Sequence, residues 1–242
     1  AIPLIRGKHI SRSIESLVDE VTRIAQEGVK ELLVIAQDTT YYGLDLYGKR
    51  MLPDLINRLS EIKGIEWIRI HYAYPNSFPI PLIDVIKNNQ KVCKYIDIPF
   101  QHISDNMLKI MRRGSTRDET VALVNKLRGS IPDIAIRTTF LVGHPGETEQ
   151  DFKELVDFVS LSAFDRVGVF TYSEEEGTYS ANNYPDKISS TIKNRRYNEL
   201  MEVQREISLT NNSKRIGNTY KIIVDRFEDE FVVGRTEYDS PE

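Results

Sequence analysis

One cysteine, one tryptophan and four histidines are all that 242 residues contain, and each scarcity excludes something. A lone thiol, Cys93, cannot close an internal disulfide, so a reducing, cytoplasmic setting is expected rather than a disulfide-stapled secreted domain. No stretch approaches the ~18 apolar residues of a membrane span, and the first residues lack the basic, apolar, small-residue order of a signal peptide. No pair of histidines or carboxylates has a spacing that by itself closes a metal site, which leaves zinc hydrolase chemistry with little support. Positive charge is not in excess either. Lys and Arg number 32 against 36 Asp and Glu, a net charge of -4, which speaks against a surface built mainly to hold nucleic acid and suits a basic protein partner. The short basic clusters Arg112-Arg113 and Lys193 to Arg196 read as solvated helix faces.

What the chain does have is a repeat. Ser13 caps a helix whose Ile14, Leu17, Val18, Val21, Ile24 and Ala25 share one face, Gly28 ends it, and a strand follows over Glu31 to Ala36. That strand is apolar without alternation, as a strand covered on both faces in a parallel sheet should be. After a long polar loop, the plan recurs four times. Helix Leu52 to Ile62 leads to strand Glu66 to His71, and helix Ile80 to Lys87 to strand Tyr95 to Pro99. Helical segments near Asn106 to Met111 and over Asp118 to Ile131 lead to strand Ile134 to Val142, and helix Glu149 to Leu161 to strand Asp165 to Thr171. Strands separated by helices run parallel, and uniform βα repetition favours a barrel over an open doubly wound sheet. Five strands are too few for a closed barrel and the chain starts on a loop and helix, so the expectation is a partial α/β barrel of at least six strands whose first strand lies outside this sequence. A polar helix from about Ser190 to Asn212 docks by one face, and Tyr220 to Asp225 with Phe231 to Thr236 reads as a β-hairpin opening a small β-domain. The expected domains are 1–213 and 214–242.

Barrels of βα units place ligands at the C-terminal ends of their strands, and there the greasy runs give way to polar and aromatic residues. The richest is the loop Gly143-His144-Pro145-Gly146-Glu147-Thr148 ahead of a helix, which would bring backbone N–H groups close to a ligand. Other tips carry Gln37-Asp38, His71-Tyr72, Gln101-His102 and Tyr172-Ser173-Glu174. Each has a plain alternative: Asp38 and Asp105 as turn or helix caps, His71 and His102 as hydrogen-bonded core histidines, Glu174 to Glu176 as a solvated turn, Cys93 as a small buried hydrophobe just before a strand. Arg137, inside an apolar strand, needs a buried carboxylate or an anionic ligand opposite it.

These residues together resemble a family. Ala1-Ile2-Pro3-Leu4-Ile5-Arg6-Gly7 with Ser11-Arg12-Ser13 is similar to the segment after the third cysteine of the CxxxCxxC motif in radical S-adenosylmethionine (SAM) methylthiotransferases. Ile35 to Gly43, Asp97 to Asp105, Arg137 to Thr148 and Tyr172 to Thr178 match the same family, so the resemblance spans essentially the whole chain. It is to the branch that modifies an aspartate of a small-subunit ribosomal protein, the RimO type. The transfer-RNA branch would carry Gly-Gln-Asn at 36 to 38, Gln-Ser-Gly-Ser-Asp at 101 to 105 and Arg-Pro-Gly near 176, and this sequence departs from it at all three places.

The resemblance implies a six-stranded partial barrel of the (βα)6 TIM-like type, an N-terminal domain with three more cluster cysteines, and a TRAM-type C-terminal β-barrel only begun here. It implies SAM and two 4Fe-4S clusters in the intact protein, with no cluster cysteine in this numbering, so the fragment alone is expected to bind no cluster and to be inactive. One reduced cluster would cleave SAM to a radical that takes hydrogen from the aspartate β-carbon, the second cluster delivering methylated sulfur, with an electron donor as a further partner. By the same resemblance Asp38, with Gln37 beside it, would bind the SAM amino group. Gln101 or Arg137 would hold the carboxylate, while Leu141, Gly143 and Pro145 would line the adenine. Tyr72, His102, Tyr172 and Glu174 are candidates for the protein substrate or the second-cluster side. The competing readings are a transfer-RNA adenosine methylthiotransferase, for which a basic rim is expected, and a non-catalytic barrel that binds a ribosomal protein.

Overall fold

The computed structural model describes residues 7–241; the segment Ala1 to Arg6, which carries part of the resemblance above, lies outside the described residues. Its helices and strands alternate as the sequence predicts: α1 (Ile14–Gln26), β1 (Glu31–Val34), α2 (Leu44–Tyr47), α3 (Leu52–Ser60), β2 (Trp67–Ile70), α4 (Pro81–Asn88), β3 (Val92–Asp97), α5 (Asp105–Ile110), α6 (Arg117–Ser130), β4 (Ala135–Val142), α7 (Glu149–Ser162), β5 (Arg166–Thr171), α8 (Tyr179–Asn183) and α9 (Ser190–Ser213). The antiparallel hairpin β6 (Ile222–Glu228) and β7 (Phe231–Thr236) follows. Strand order in the sheet is β1-β2-β3-β4-β5, with parallel pairing at β1–β2, β2–β3 and β4–β5, which makes β1 and β5 its edges. No described helix is long and apolar enough to cross a membrane.

The chain divides into two compact units. One holds Ile98–Lys126 with Ile136–Ile216. Its core is the outer face of β4, Ile136, Phe140 and Val142, against α7. Phe100, Phe140, Phe158 and Phe164 pack as tilted and edge-to-face pairs with centroids 5.4 to 6.3 Å apart, an arrangement worth about 0.5–1.5 kcal/mol per pair beyond the area buried. The opposite face of β4 and β5 is different. Arg137, Thr139 and Leu141 are half-buried, in register with Arg166, Gly168 and the exposed Phe170.

The other unit joins His9–Asp97, Leu127–Ala135 and the segment from Gly217 onward. Ile68, Ile70 and Ile96 face α3 and α4 and are fully buried. On the other side, Trp67, Cys93, Tyr95 and Ala135 form a cluster against which Ile223 and Tyr238 of the hairpin region pack. At its centre is a charge. Arg69 is 0% exposed, bonded to Glu31 (Nε to Oε1, 2.8 Å) and to the Glu237 carbonyl (2.7 Å), with Tyr95 4.8 Å under its guanidinium. Arg235 of β7 takes the other oxygen of Glu31 at 2.7 Å and both oxygens of Asp225, so the hairpin is seated on β1 and β2 by ion pairs removed from water. From Gly217 the chain belongs to the same compact unit as β1 to β3.

Several boundaries differ for physical reasons. Strand β3 begins three residues earlier than Tyr95, so Cys93 sits within the strand rather than before it; Lys91 and Lys94 disguised the start, but Val92 and Cys93 between them are buried. The polar stretch after β1 is not structureless: it holds a 3-10 turn over Thr39–Tyr41 and the short α2, flanked by Gly43 and Gly48 in left-handed conformation. Strand β6 runs on to Glu228 and leaves a two-residue turn, Asp229-Glu230, where the charges Arg226 and Glu228 had read as loop; both are solvent-exposed on the hairpin and pair with each other.

Arg69→Met should leave the buried Glu31 carboxylate with Arg235 as its remaining partner and lower the unfolding free energy by about 3 kcal/mol, visible as a lower urea midpoint at unchanged slope.

Candidate functional site

In the unit carrying β4 and β5, the loop after β4 is organised by one carboxylate. Glu147 is buried, its side chain 0% exposed, and its two oxygens meet three donors. Oε1 faces His102 Nε2 at 3.1 Å; Oε2 accepts the Gly143 N–H at 2.5 Å and Arg196 NH1 at 2.6 Å. The His102 Nδ1 accepts from the Ser104 N–H at 3.1 Å, which fixes the tautomer: Nε2 carries the proton and donates to Glu147. Arg196 extends the network to Glu149 at 2.7 Å, and Glu149 is also held by Arg195; those hydrogen bonds draw its pKa below the ordinary 4.5. Glu147 thus draws the loop back upon itself, and Gly143 complies by adopting φ +74.

The start of α7 is tied down next to it. Thr148 caps the helix, and Asp151 returns a hydrogen bond to the Thr148 N–H at 2.9 Å, a capping box. Asp151 also accepts from Ser104 Oγ and from Asn106 at 3.0 Å. Burial pushes its pKa up, but these hydrogen bonds outweigh burial and hold it below the ordinary 3.8. Ser104, not Asp105, caps α5; Asp105 instead accepts the Arg117 N–H at 2.7 Å.

His144 follows Gly143 and is buried. Its Nδ1 donates to the Pro145 carbonyl at 2.9 Å, its Nε2 accepts from Ser180 Oγ at 2.8 Å, and burial lowers its pKa below 6.5, so the ring stays neutral. Tyr172, at the tip of β5, lies edge-on to His144 at 4.8 Å and is 8% exposed; its hydroxyl makes no hydrogen bond among the described residues, and burial raises its pKa above 10.0. Gln101 makes a parallel bridge with Phe140, donating its N–H to Thr139 and accepting from the Leu141 N–H, both at 2.8 Å, with φ +70. A non-glycine residue held left-handed at a strand tip is strain of the kind that marks a ligand face.

The other unit carries the tips of β1 and β2. Asp38 accepts at Oδ1 from the Thr40 N–H (2.9 Å) and the Thr40 hydroxyl, which makes it the cap of the 3-10 turn; Oδ2 accepts no hydrogen bond among the described residues. Thr39 donates its N–H to the Tyr72 carbonyl (3.1 Å) and its hydroxyl to the His71 carbonyl (2.9 Å), so the two tips are stitched together. Tyr72 is 47% exposed at φ +53, and Gln37 is exposed. His71 is buried, with Nε2 3.0 Å from Ser240 Oγ and Nδ1 3.7 Å from Asp97.

Within one unit, then, the fold gathers Gln101, His102, Leu141, Gly143, Pro145 and Tyr172 around the tips of β4 and β5, whereas Arg137 lies near the start of β4, in register with the first residue of β5; within the other, Thr39 ties the turn capped by Asp38 to Tyr72. Two assignments need correction. His102 is wholly buried with both ring nitrogens engaged inside the chain, so it holds Glu147 and does not face a protein substrate. The cluster Lys193 to Arg196 is solvated only in part: Asn194 and Arg195 are exposed, but Arg196 is 3% exposed on Glu147, and Lys193 lies over Gly143. Glu174 stands in an exposed acidic turn.

The sequence of this region matches the radical SAM superfamily over residues 2–159. The chain belongs to the radical SAM superfamily. Over all 242 residues it is 54% identical to the ribosomal protein uS12 methylthiotransferase RimO of Bacteroides thetaiotaomicron and 56% identical to that of Bacteroides fragilis. It spans 56% of the length of each of these relatives. Among solved structures, the fold is similar to coproporphyrinogen III oxidase (HemN) from Escherichia coli, a radical SAM enzyme, with a TM-score of 0.61 at 16% identity over 83% of this chain and 48% of the other. It is likewise similar to Streptococcus suis SuiB bound to S-adenosylmethionine, with a TM-score of 0.56 at 15% identity over 83% of this chain and 43% of the other. The architecture is therefore the α/β, TIM-like fold of radical SAM enzymes, with a parallel five-stranded sheet among the described residues.

Two cofactors are implied by that family, and the residues treat them differently. An adenosyl ligand fits: Gly143 presents bare backbone at φ +74 with the flexible Lys193 stem as its nearest neighbour, and Tyr172 keeps a buried hydroxyl without a partner among the described residues. Iron–sulfur ligands are not supplied by the described residues. No three His, Cys, Asp or Glu side chains gather into a metal site, and burial in β3 pushes the Cys93 thiol up to about 12, where no ligating thiolate forms at neutral pH.

Glu147 and Arg196 escaped the sequence reading because neither has a spacing signature; Thr148-Glu149-Gln150-Asp151, a capping box ahead of an apolar run, was the available signal for the helix start. Glu147→Gln should leave the buried Arg196 with only the exposed Glu149 as a charged partner and destabilise the protein by about 3 kcal/mol in chemical unfolding, with Arg196→Met in the same chain recovering most of the loss.

Proposed function

We propose that the intact protein is a radical SAM methylthiotransferase that adds a methylthio group to the β-carbon of an aspartate in ribosomal protein uS12. The observation that carries this reading is the 54% identity to a RimO enzyme over all 242 residues of the chain. SAM with a reduced 4Fe-4S cluster supplies the hydrogen abstraction that acid–base side chains cannot achieve at an unactivated carbon. What this chain contributes is positioning and the exclusion of water. Asp38 would hold the SAM ammonium with the oxygen left over from its turn cap. Arg137 or Gln101 would hold the carboxylate, and Leu141, Gly143 and Pro145 would flank the adenine. Tyr72, exposed at its strand tip, and Glu174, in its acidic turn, suit a basic ribosomal protein. The hairpin β6–β7 would open a TRAM-type β-domain, completing the division at about residue 214, and the cluster ligands and electron donor would come from outside this sequence.

In cells lacking the gene, mass spectrometry of uS12 should show the methylthio mass missing from its aspartate; unchanged uS12, or loss of the modification from transfer RNA instead, would move the assignment. Asp38→Ala in the intact, cluster-loaded protein should weaken SAM binding about tenfold or more in equilibrium dialysis, the value of one charge-assisted hydrogen bond.

A further inference from the structure

Lys193 does something unusual for a helix-borne lysine. A Cβ placed on Gly143 would fall 2.4 Å from Lys193 Cγ and 3.2 Å from its Cβ and Cδ, so the aliphatic stem lies directly on the glycine. The ammonium then crosses to the tip of β5, donating to the Tyr172 carbonyl at 3.0 Å and to Asp186 at 2.5 Å, 5.1 Å from the Tyr172 ring centre. Only 11% of this side chain is exposed. Asp186 belongs to the connection 173–189 between β5 and α9. Other side-chain ties of that connection are His144 to Ser180 at 2.8 Å, His144 edge-on to Tyr184 at 6.3 Å, and Arg112 stacked on Tyr179 with its guanidinium carbon 3.2 Å from the ring centre.

We propose that Lys193 is a displaceable pin. Its stem fills the space that Gly143 leaves for a flat ligand ring, and its ammonium holds the 173–189 connection down on the tips of β4 and β5 until that ring enters. The inference rests on reading this face as the seat of an adenosyl ligand.

Three features separate a pin from a permanent strut. No backbone hydrogen bond of the loop depends on Lys193, because the Gly143 N–H is taken by Glu147. Its departure would leave the loop conformation intact. The same departure uncovers a carbonyl and an aromatic face at Tyr172, which are an acceptor for an exocyclic amine and a surface for stacking, next to a buried hydroxyl that already lacks a partner. A strut, finally, would tolerate any small residue at 143 that leaves room, whereas a left-handed glycine keeps the backbone bare at the one point the stem touches.

The test uses the intact protein with its clusters and S-adenosylhomocysteine as probe, read by equilibrium dialysis and by protease cleavage within 173–189. Lys193→Ala removes stem and charge together. Lys193→Met keeps the stem and loses the tie to Asp186, and Asp186→Asn loosens the tie alone. If the pinned state is about 90% populated, Lys193→Ala should bind the probe about tenfold more tightly, while Lys193→Met stays within about twofold of the parent. All three variants should be cleaved faster without ligand, and adding the probe to the parent protein should raise its cleavage rate. Equal or weaker binding by Lys193→Ala, or probe-induced protection of the parent, overturns the pin and leaves Lys193 a strut. A parent protein that does not bind the probe at all overturns instead the adenosyl reading on which the pin rests.

Discussion

A buried carboxylate must be met by donors, and Glu147 shows how much structure that requirement can organise. Its two oxygens draw in the backbone of Gly143, the ring of His102 and the guanidinium of Arg196, three groups from the end of β4, the tip beyond β3 and the helix α9. Withdrawing Arg196 would leave the carboxylate unpaired in a dry environment at a cost of several kcal/mol, and withdrawing either of the others would cost it a hydrogen bond there. The loop after β4 therefore owes its shape to a point behind it, and its other side is left to glycine, proline and the stem of Lys193.

The same logic operates in the unit of β1 to β3, with the sign reversed. There a buried cation, Arg69, is compensated by Glu31, and Glu31 in turn accepts Arg235 from the hairpin. Two ion pairs that share a carboxylate specify one seat for β6–β7, because any other placement strands at least one charge. Buried ionic groups seldom add net stability over apolar packing; here they decide where an otherwise marginal two-stranded ribbon goes. Both units thus use the same device: apolar faces supply the driving force, and a few buried charges choose the arrangement.

How far this was legible beforehand differs by element. Helices α1, α3, α4 and α7 and all five parallel strands announced themselves through apolar periodicity, because burying a face imposes that pattern on the residues themselves. Strand β3 hid its first turn behind Lys91 and Lys94, and β6 hid its end behind Arg226 and Glu228, since an exposed charge on a strand looks the same as a charge in a loop. The glycines and proline at 143 to 146 marked a strand-to-helix loop, and the structure has one there, between β4 and α7. His102 was assigned to the surface of the site, because a histidine beside a strand tip carries no mark of which way it points; its burial follows from Glu147, forty-five residues on.

What the linear order of residues determined is therefore the βα repetition, the parallel sheet it compels and the strand tips where polar residues gather, all of which follow from periodicity and local backbone preference. Only the tertiary structure decided which charges are buried and by what they are met. Glu147 with Arg196, Glu31 with Arg69 and Arg235, and Lys193 over Gly143 join residues from 38 to 204 positions apart, and pairing at that separation is set by packing in three dimensions, which no short-range pattern encodes.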